Sequence, residues 1–182
     1  MDELAPEQFL CPDQQGSTLL HSLISYINPH TMPSSQVQAA VLRIFYNLDG
    51  NSNPWSREAV PKLLNARNKD GLTPLHLAAK CALPHVVASL LKELGYNNNR
   101  SPRDTRLAIA VRDTYGTSLL EDLSSTYWLA RSSDEESSLL LEADAMFCVC
   151  LISDALAGRL PLIITGSGLY GRGKKKRAKR ES

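Results

Sequence analysis

The sequence contains little that would suggest a secreted or membrane protein. Only four of its 182 residues are cysteines, and their uneven spacing does not fit a disulfide scaffold. The N-terminal sequence MDELAPEQFL lacks the basic and then apolar order of a secretory signal. The longest apolar stretch, residues 139–164, is interrupted by four charged side chains, which a membrane span tolerates poorly near its centre. We therefore expect an intracellular protein, cytoplasmic, nuclear or both, without a membrane span.

Aromatic residues are also scarce, at 6%, and no low-complexity or collagen-like composition is present. A chain of this length is sufficient for one compact domain or for a short repeat array. The net charge of +1 hides an asymmetry, because seven of the 20 lysines and arginines lie in the last eleven residues. The first 171 residues keep 13 basic and 18 acidic side chains. The sequence therefore combines an acidic body with a short basic tail.

Three segments of the chain align with one another without gaps: residues 13–21 (DQQGSTLLH), 68–76 (NKDGLTPLH) and 113–121 (DTYGTSLLE). Each has Asp or Asn first, Gly fourth, Thr or Ser sixth and Leu eighth. We expect the glycine to provide the positive φ of a tight turn and the hydroxyl residue to cap a following helix. The residues of this structural motif are Gly16, Thr18, His21, Gly71, Thr73, Pro74, Leu75, His76, Gly116 and Ser118.

The middle copy continues into a complete helix–turn–helix unit. The run from Asp70 to Ala79 (DGLTPLHLAA) is followed by paired Val and Leu residues at helical spacing and by Gly95. Over residues 68–97 this pattern resembles an ankyrin repeat, whereas the flanking copies resemble the family only through the turn and first helix. The motif glycines are separated by 55 and 45 residues, against about 33 in a standard repeat. We therefore expect loops, longer helices or a degenerate extra repeat between the copies.

The resemblance implies an all-α fold, a short ankyrin-repeat array of stacked helix–turn–helix units with long insertions and a C-terminal capping helix. We expect a flexible N-terminus at 1–12, an ankyrin-repeat domain with its cap at 13–165 and a disordered, Gly-rich basic tail at 166–182. The capping helix, at 139–156, is predicted to pack on the helix at 118–128, whose contact residues include Trp128. The predicted contact stripe consists of Leu139, Leu140, Ala143, Met146, Phe147, Cys150, Leu151, Asp154 and Ala155.

The resemblance also implies a noncatalytic scaffold or adaptor, because partners of ankyrin proteins dock on the turn tips and on the concave face of the inner helices. Ser22 and Asp122 are exposed candidates on that face. The acidic body favours a partner protein with a basic patch. The residues predicted to bind the partner are Gln14, Gln15, Lys69, Asp70, Leu77, Lys80, Thr114 and Tyr115.

The basic tail supports a second hypothesis, a nuclear transcription-regulatory ankyrin cofactor similar to the inhibitor-of-NF-κB or fungal cell-cycle cofactors. A dense cationic run after a glycine-rich lead is typical of a signal read by a nuclear import receptor. Nonspecific contact with nucleic acid or lipid, or a solvated tail without a partner, remain alternatives. No aromatic residue lies among the basic ones, which argues against sequence-specific nucleic-acid binding. The tail residues are Lys174, Lys175, Lys176, Arg177, Lys179 and Arg180.

A third hypothesis, a nucleotide-binding enzyme fragment, rests on the G-x-G-x-x-G pattern at 166–171. That fingerprint needs a following helix and an acidic residue about 20 positions later, and only eleven residues follow. His76, Cys81 and His85 lack a fourth zinc ligand. Cys148 and Cys150 would point about 200° apart on a helix. We predict no catalytic residue, no cofactor and no metal site.

Overall fold

The computed structural model describes residues 6–26, 36, 39–44, 55–96, 102–132 and 136–159. These residues contain no β-strand, and a single isolated bridge joins Arg112 to Ser118. The prediction of an all-α fold is therefore confirmed. Besides a helical segment at 39–44, the helices are α1 (Pro6–Leu10), α2 (Leu19–Tyr26), α3 (Trp55–Asn65), α4 (Pro74–Lys80), α5 (Pro84–Tyr96), α6 (Pro102–Ile109), α7 (Leu119–Arg131) and α8 (Glu136–Leu156).

Helices α2, α4 and α7 each begin directly after one copy of the repeated turn, where the motif glycine has a φ between +72° and +77°. The side chain of the first residue in each turn stabilises that turn through hydrogen bonds. Asp13 Oδ1 accepts hydrogen bonds from two backbone amides of its own turn, and Asp113 Oδ1 does the same, at 2.7–2.9 Å. Asn68 Oδ1 accepts one such bond, from Leu72 N at 2.9 Å. Local hydrogen bonds thus give the three turns the same shape.

N-caps fix the starts of the inner helices α4 and α7. Thr73 caps α4 with extended backbone, its side chain accepts a hydrogen bond from His76 N, and Pro74 occupies the first turn. Ser118 and Glu121 form a reciprocal capping box at the start of α7. The two caps satisfy backbone amides that would otherwise lack partners, so the turn and the helix form one rigid unit.

The helices form two layers. The inner helices α2, α4 and α7 contact one another in that order, α5 packs on α4, and α8 packs on both α5 and α7. This arrangement confirms the predicted stack of helix–turn–helix units with a C-terminal capping helix. The insertions contribute α3, which packs on α1, and α6, which packs on α5 and α8.

The core runs through both layers. Its largest fully buried apolar side chains come from α2, α3, α5, α7 and α8. Phe9 of α1 is also buried, so the packed region includes part of the segment before residue 13. None of the helices in the described residues combines the length and the apolar content needed to cross a membrane. These large buried side chains are Leu20, Ile24, Leu63, Leu90, Leu91, Leu94, Leu119, Leu123 and Ile152, and Val41 of the segment 39–44 is fully buried as well.

The pairing of α8 with α7 is as predicted, but the face that α8 uses is not. Of the nine stripe residues only Leu151 and Ala155 are buried, Asp154 is half-buried, and Trp128 on α7 is 63% exposed. The six stripe residues that are exposed instead are Leu139, Leu140, Ala143, Met146, Phe147 and Cys150. The buried side of α8 is formed by Ser138, Ala145, Cys148, Leu151, Ile152 and Ala155.

The physical reason is the composition of α8, which is apolar on almost every side (ESSLLLEADAMFCVCLISDAL). Burial of apolar surface is nondirectional, so the sequence pattern does not select one face. Shape decides between them. The side that packs against the neighbouring helices combines the small Ala145 and Cys148 with the larger Leu151 and Ile152, while Leu139 and Leu140 remain exposed.

Candidate functional site: the turn tips and inner helices

The tips of the three turns lie against one another in a continuous row. Lys69 N donates a hydrogen bond to Gln15 O at 2.9 Å, which joins the first tip to the second. Thr114 N and Thr114 Oγ1 both donate to Asp70 O, at 3.0 and 2.8 Å, which joins the second tip to the third. We call the six exposed tip residues the tip ridge: Gln14, Gln15, Lys69, Asp70, Thr114 and Tyr115.

Two buried histidines connect successive units behind the ridge. His21 Nδ1 accepts from Thr18 N at 3.2 Å and lies 2.9 Å from Thr18 Oγ1, while its Nε2 donates to Leu72 O at 3.0 Å. His76 repeats this geometry one unit later, with Thr73 Oγ1 at 2.7 Å and Val111 O at 2.9 Å. Each ring is neutral, because one nitrogen accepts and the other donates.

Burial lowers the pKa of both His21 and His76, and the hydrogen bonds to Leu72 O and Val111 O offset this effect in part. Neither ring is exposed. A neutral buried histidine with both nitrogens bonded is a structural element of the stack. The role of the two rings is to hold the ridge in position.

The third unit ends this series. Its inner helix, α7, has Glu121 at the position that His21 and His76 occupy in the first two units. The Glu121 side chain is exposed to solvent. Glu121 Oε2 accepts from Ser118 N at 2.6 Å and from Arg112 Nη1 at 3.0 Å. The bonds from Ser118, and then the nearby Arg112, lower the pKa of Glu121. The carboxylate therefore bonds within its own unit and does not reach towards a further one.

Two arginines that sequence reasoning missed stabilise the second and third turns. Arg67 Nε donates to Gly71 O at 3.0 Å, and its Nη2 donates to Arg112 O. Arg112 Nη1 in turn donates to Gly116 O. Both arginines stand immediately before the repeated turn, so the alignment of the copies contained the signal. Arg67 links the second turn to the start of the third, and Arg112 stabilises the third turn from within.

The inner helices provide the surface next to the ridge. Lys80 is exposed, Leu77, Ser22 and Asp122 are half-buried, and Thr126 Oγ1 of α7 donates to Lys80 O at 3.3 Å. Asp122 occupies the position in the third unit that Leu77 occupies in the second. Among the described residues, Asp122 Oδ2 is a buried side-chain oxygen with no hydrogen-bond partner. This acceptor therefore lies beneath the inner surface and not on it.

The remaining predictions from the sequence concern the basic tail, metal binding and the cysteines of α8. The tail residues 172–182 are outside the described residues. No group of three or more His, Cys, Asp or Glu side chains in the described part of the chain has an arrangement that could hold a metal ion. Cys148 is buried and Cys150 exposed on opposite sides of α8, and burial raises the pKa of Cys148 to about 12.

Comparison with known proteins gives one family. The model of the ankyrin repeat matches residues 70–101, which span the second tip, α4 and α5. No curated protein and no solved structure matches the chain. Ankyrin repeats typically serve as protein-interaction modules and are usually noncatalytic. The chain therefore contains an ankyrin repeat at residues 70–101, within an all-α stack of helix pairs.

Proposed function

We propose that the protein is a noncatalytic scaffold or adaptor that binds a partner protein through the tip ridge and the adjoining inner helices. The observation that carries this proposal is the row of backbone hydrogen bonds in which Lys69 N donates to Gln15 O and Thr114 N donates to Asp70 O. These bonds hold six exposed side chains in a fixed row before a partner arrives. A prearranged surface loses little conformational entropy on binding, which favours affinity.

The chemistry of this surface favours a partner with a basic patch. Asp122 Oδ2 is desolvated without a hydrogen bond, a condition that destabilises a folded protein unless a ligand or water supplies a donor. The negative charge of the half-buried Asp122 side chain, beside the ridge, would attract an arginine or lysine of the partner. Asp70 on the ridge and the excess of acidic residues in the first 171 residues add long-range attraction.

The proposal is tested by affinity capture from native lysate with the full chain as bait, followed by mass spectrometry and a binding measurement with the captured protein. We expect a Tyr115→Ala, Asp70→Lys variant to lose the partner while its melting curve stays close to that of the wild type, since both side chains are exposed. Asp122→Asn should weaken binding about tenfold to a hundredfold.

Asp154→Asn provides the matched control for Asp122→Asn, since it makes the same change on α8, away from the ridge and the inner helices. It should leave affinity unchanged. The association rate of the wild type should fall as salt increases. Equal affinity for the wild type and both surface variants would place the binding site elsewhere and contradict the proposal.

The basic tail supports nuclear import as a second candidate function, in agreement with a nuclear ankyrin cofactor. The observation is the concentration of seven basic residues within 172–182. Replacing Lys174, Lys175 and Lys176 by alanine should reduce the nuclear enrichment of a tagged chain. Enrichment is the quantity to measure, because a protein of 20.0 kDa diffuses through nuclear pores. An unchanged distribution would contradict the import hypothesis.

A further inference from the structure

The third tip of the ridge differs from the first two in what lies beside it. A Cβ added at Gly16 would lie 3.4 Å from Lys69 N, and one added at Gly71 would lie 2.7 Å from Thr114 N, because the next tip packs against each of these turns. At Gly116 the added atom would meet nothing within 4 Å. Within the described part of the chain, the third tip therefore has a neighbouring tip on one side only.

The side chain that connects one unit to the next is also different in the third unit. His21 and His76 each donate from Nε2 to a carbonyl oxygen beside the following turn, on Leu72 and Val111 respectively. Glu121 occupies the same position in the third unit, and an ionised carboxylate accepts hydrogen bonds but donates none. On its open side the third turn is therefore stabilised from within its own unit.

Arg112 and Glu121, which we call the brace, provide this internal stabilisation. Arg112 stands before the turn and Glu121 in the first turn of α7. Arg112 Nη1 donates to Gly116 O and also to Glu121 Oε2, the latter at 3.0 Å. Glu121 Oε2 accepts in addition from Ser118 N at 2.6 Å. The brace thus connects the residue before the turn, the motif glycine and the start of the inner helix.

We propose that Arg112 and Glu121 are positioning residues of the binding surface, which act through the third tip and fix the geometry of Thr114 and Tyr115. This inference rests on the function proposed above. Two of the six ridge side chains belong to this tip, and Tyr115 is 82% exposed. A partner binds only the fraction of molecules whose tip has the correct geometry, so a looser tip lowers the apparent affinity.

The brace is suited to positioning because it contributes little to the stability of the whole fold. Both side chains are 57% exposed, and exposed ion pairs add little to the free energy of unfolding. A short surface turn depends on far fewer bonds than the core, so the same contacts have a larger effect on its local order. Loss of the brace should therefore loosen the third tip and leave the melting curve nearly unchanged.

Backbone order parameters from ¹⁵N NMR relaxation test the brace in the absence of a partner. In the wild type the amides of Thr114, Tyr115 and Thr117 should have order parameters of about 0.85, as in a rigid backbone. Arg112→Gln and Glu121→His should each lower them to about 0.7 or less. The double variant should lower them no further, because each single change already breaks the brace.

Glu121→His separates the brace from the helix cap. A histidine Nδ1 at this position can still accept from Ser118 N, as His21 Nδ1 accepts from Thr18 N at 3.2 Å. The other ring nitrogen of a neutral histidine is a donor, so no acceptor remains for Arg112. The change also restores the residue of the repeated motif, yet we expect it to loosen the tip.

Arg112→Lys provides a rescue and Arg159→Gln a matched control. Both side-chain bonds of Arg112 within the brace leave from a single nitrogen, and lysine also carries several donors on one nitrogen. Arg112→Lys should therefore retain most of the order of the tip. Arg159→Gln breaks an exposed ion pair of the same kind, with Asp154 on α8, and should leave the third tip unchanged.

Surface plasmon resonance then measures binding to the protein that the full chain captures from native lysate. Arg112→Gln and Glu121→His should each raise the Kd about twofold to tenfold, whereas Arg112→Lys and Arg159→Gln should leave it close to the wild-type value. The first two variants change the charge of the surface in opposite directions. A direct electrostatic contribution would therefore move their affinities in opposite directions, and positioning lowers both.

The proposal is overturned by order parameters that do not change in Arg112→Gln and Glu121→His, or by opposite changes in their affinities. It is also overturned if the tip loosens and the affinity stays the same while the Tyr115→Ala, Asp70→Lys variant loses the partner. In that case the proposed function stands. Retained binding by that surface variant as well would contradict the proposed function too.

Discussion

Acidification from pH 7.5 to 5.5 should destabilise the fold through the two histidines that connect its units. His21 and His76 are fully buried, and each uses one ring nitrogen as acceptor and the other as donor. A proton on His21 Nδ1 would place two donors face to face, since Thr18 N already donates to that atom. Burial accordingly lowers the pKa of both rings in the folded protein.

The sign and size of the effect follow from proton linkage. Above the unfolded pKa of 6.5 both states are neutral, and the full stability is present. Below it the unfolded chain takes up protons first, so stability is lost as the pH falls from 6.5 towards the folded pKa. Each histidine contributes at most about 1.4 kcal/mol per pH unit in this window, so the pair contributes at most about 2.7 kcal/mol.

The assay is urea unfolding followed by circular dichroism at several pH values, for the wild type, His76→Gln and His85→Gln. His76→Gln should lower the free energy of unfolding by about 1–3 kcal/mol at neutral pH, because buried polar groups lose their partner. Its loss of stability per pH unit should be about half that of the wild type. His85, half-buried on α5 and not part of the bridges between units, is the control.

Asp144 has a raised pKa because of burial, and its protonation acts in the opposite sense. Asp144 is unchanged in the wild type and in His76→Gln, so its contribution cancels in that comparison, whereas His85→Gln removes a charge that lowers the Asp144 pKa. Equal pH slopes for the wild type and His76→Gln would refute the conclusion that His76 is a neutral bridge in the fold.

Other predictions concern packing and thiol reactivity. Gly116→Ala should destabilise by about 1–2 kcal/mol through its positive φ alone, because no atom lies near an added Cβ. Gly71→Ala should cost at least about 1 kcal/mol more, since its Cβ would lie 2.7 Å from the next tip's backbone; equal effects in denaturant melts would contradict the ridge geometry. Leu75→Ala should lower the unfolding free energy by about 2–5 kcal/mol, and a near-wild-type melt would show that Leu75 is not buried between units. A thiol reagent should label Cys150 rapidly and Cys148 only after urea unfolding; rapid labelling of both would contradict their placement on opposite sides of α8.

The parts of the fold that the sequence predicts are those set by local chemistry. A glycine with positive φ, a hydroxyl N-cap and an inward leucine act within eight residues, so three aligned copies of the skeleton identify three turns and three inner helices. The middle unit is recognised completely because α4 and α5 follow its turn without an insertion. The sequence also predicts α8 as a capping helix, because a long apolar run of helix formers requires burial.

The parts that the sequence does not predict depend on shape in three dimensions. The apolar residues around α8 allow several faces to be buried, and the packing of the neighbouring helices selects the one that contains Ala145 and Cys148. The orphan oxygen of Asp122 likewise depends on the local packing around α7. No spacing rule contains that information, because it arises from residues distant in the chain.

The separation of the motif glycines by 55 and 45 residues has little effect on the stack. The bonds between units, from Lys69 N to Gln15 O and from His21 Nε2 to Leu72 O, involve only the turn and the start of the inner helix. Closing a connection of 55 residues instead of 33 costs only about 0.5 kcal/mol in chain entropy. Insertions can therefore accumulate between the inner helices without changing the ridge.

At the end of the stack the inner layer presents polar groups, whereas the outer layer presents an apolar surface. On α7, Glu121 and Ser124 are exposed where the second unit buries His76 and Ala79, so the inner layer presents polar groups to solvent. On α8 the corresponding outer surface remains apolar. A further unit of the same kind would need both layers, because its turn bonds to the previous tip and its helices pack on both helices. Residues that end the inner layer in this way leave the tip ridge free for a partner.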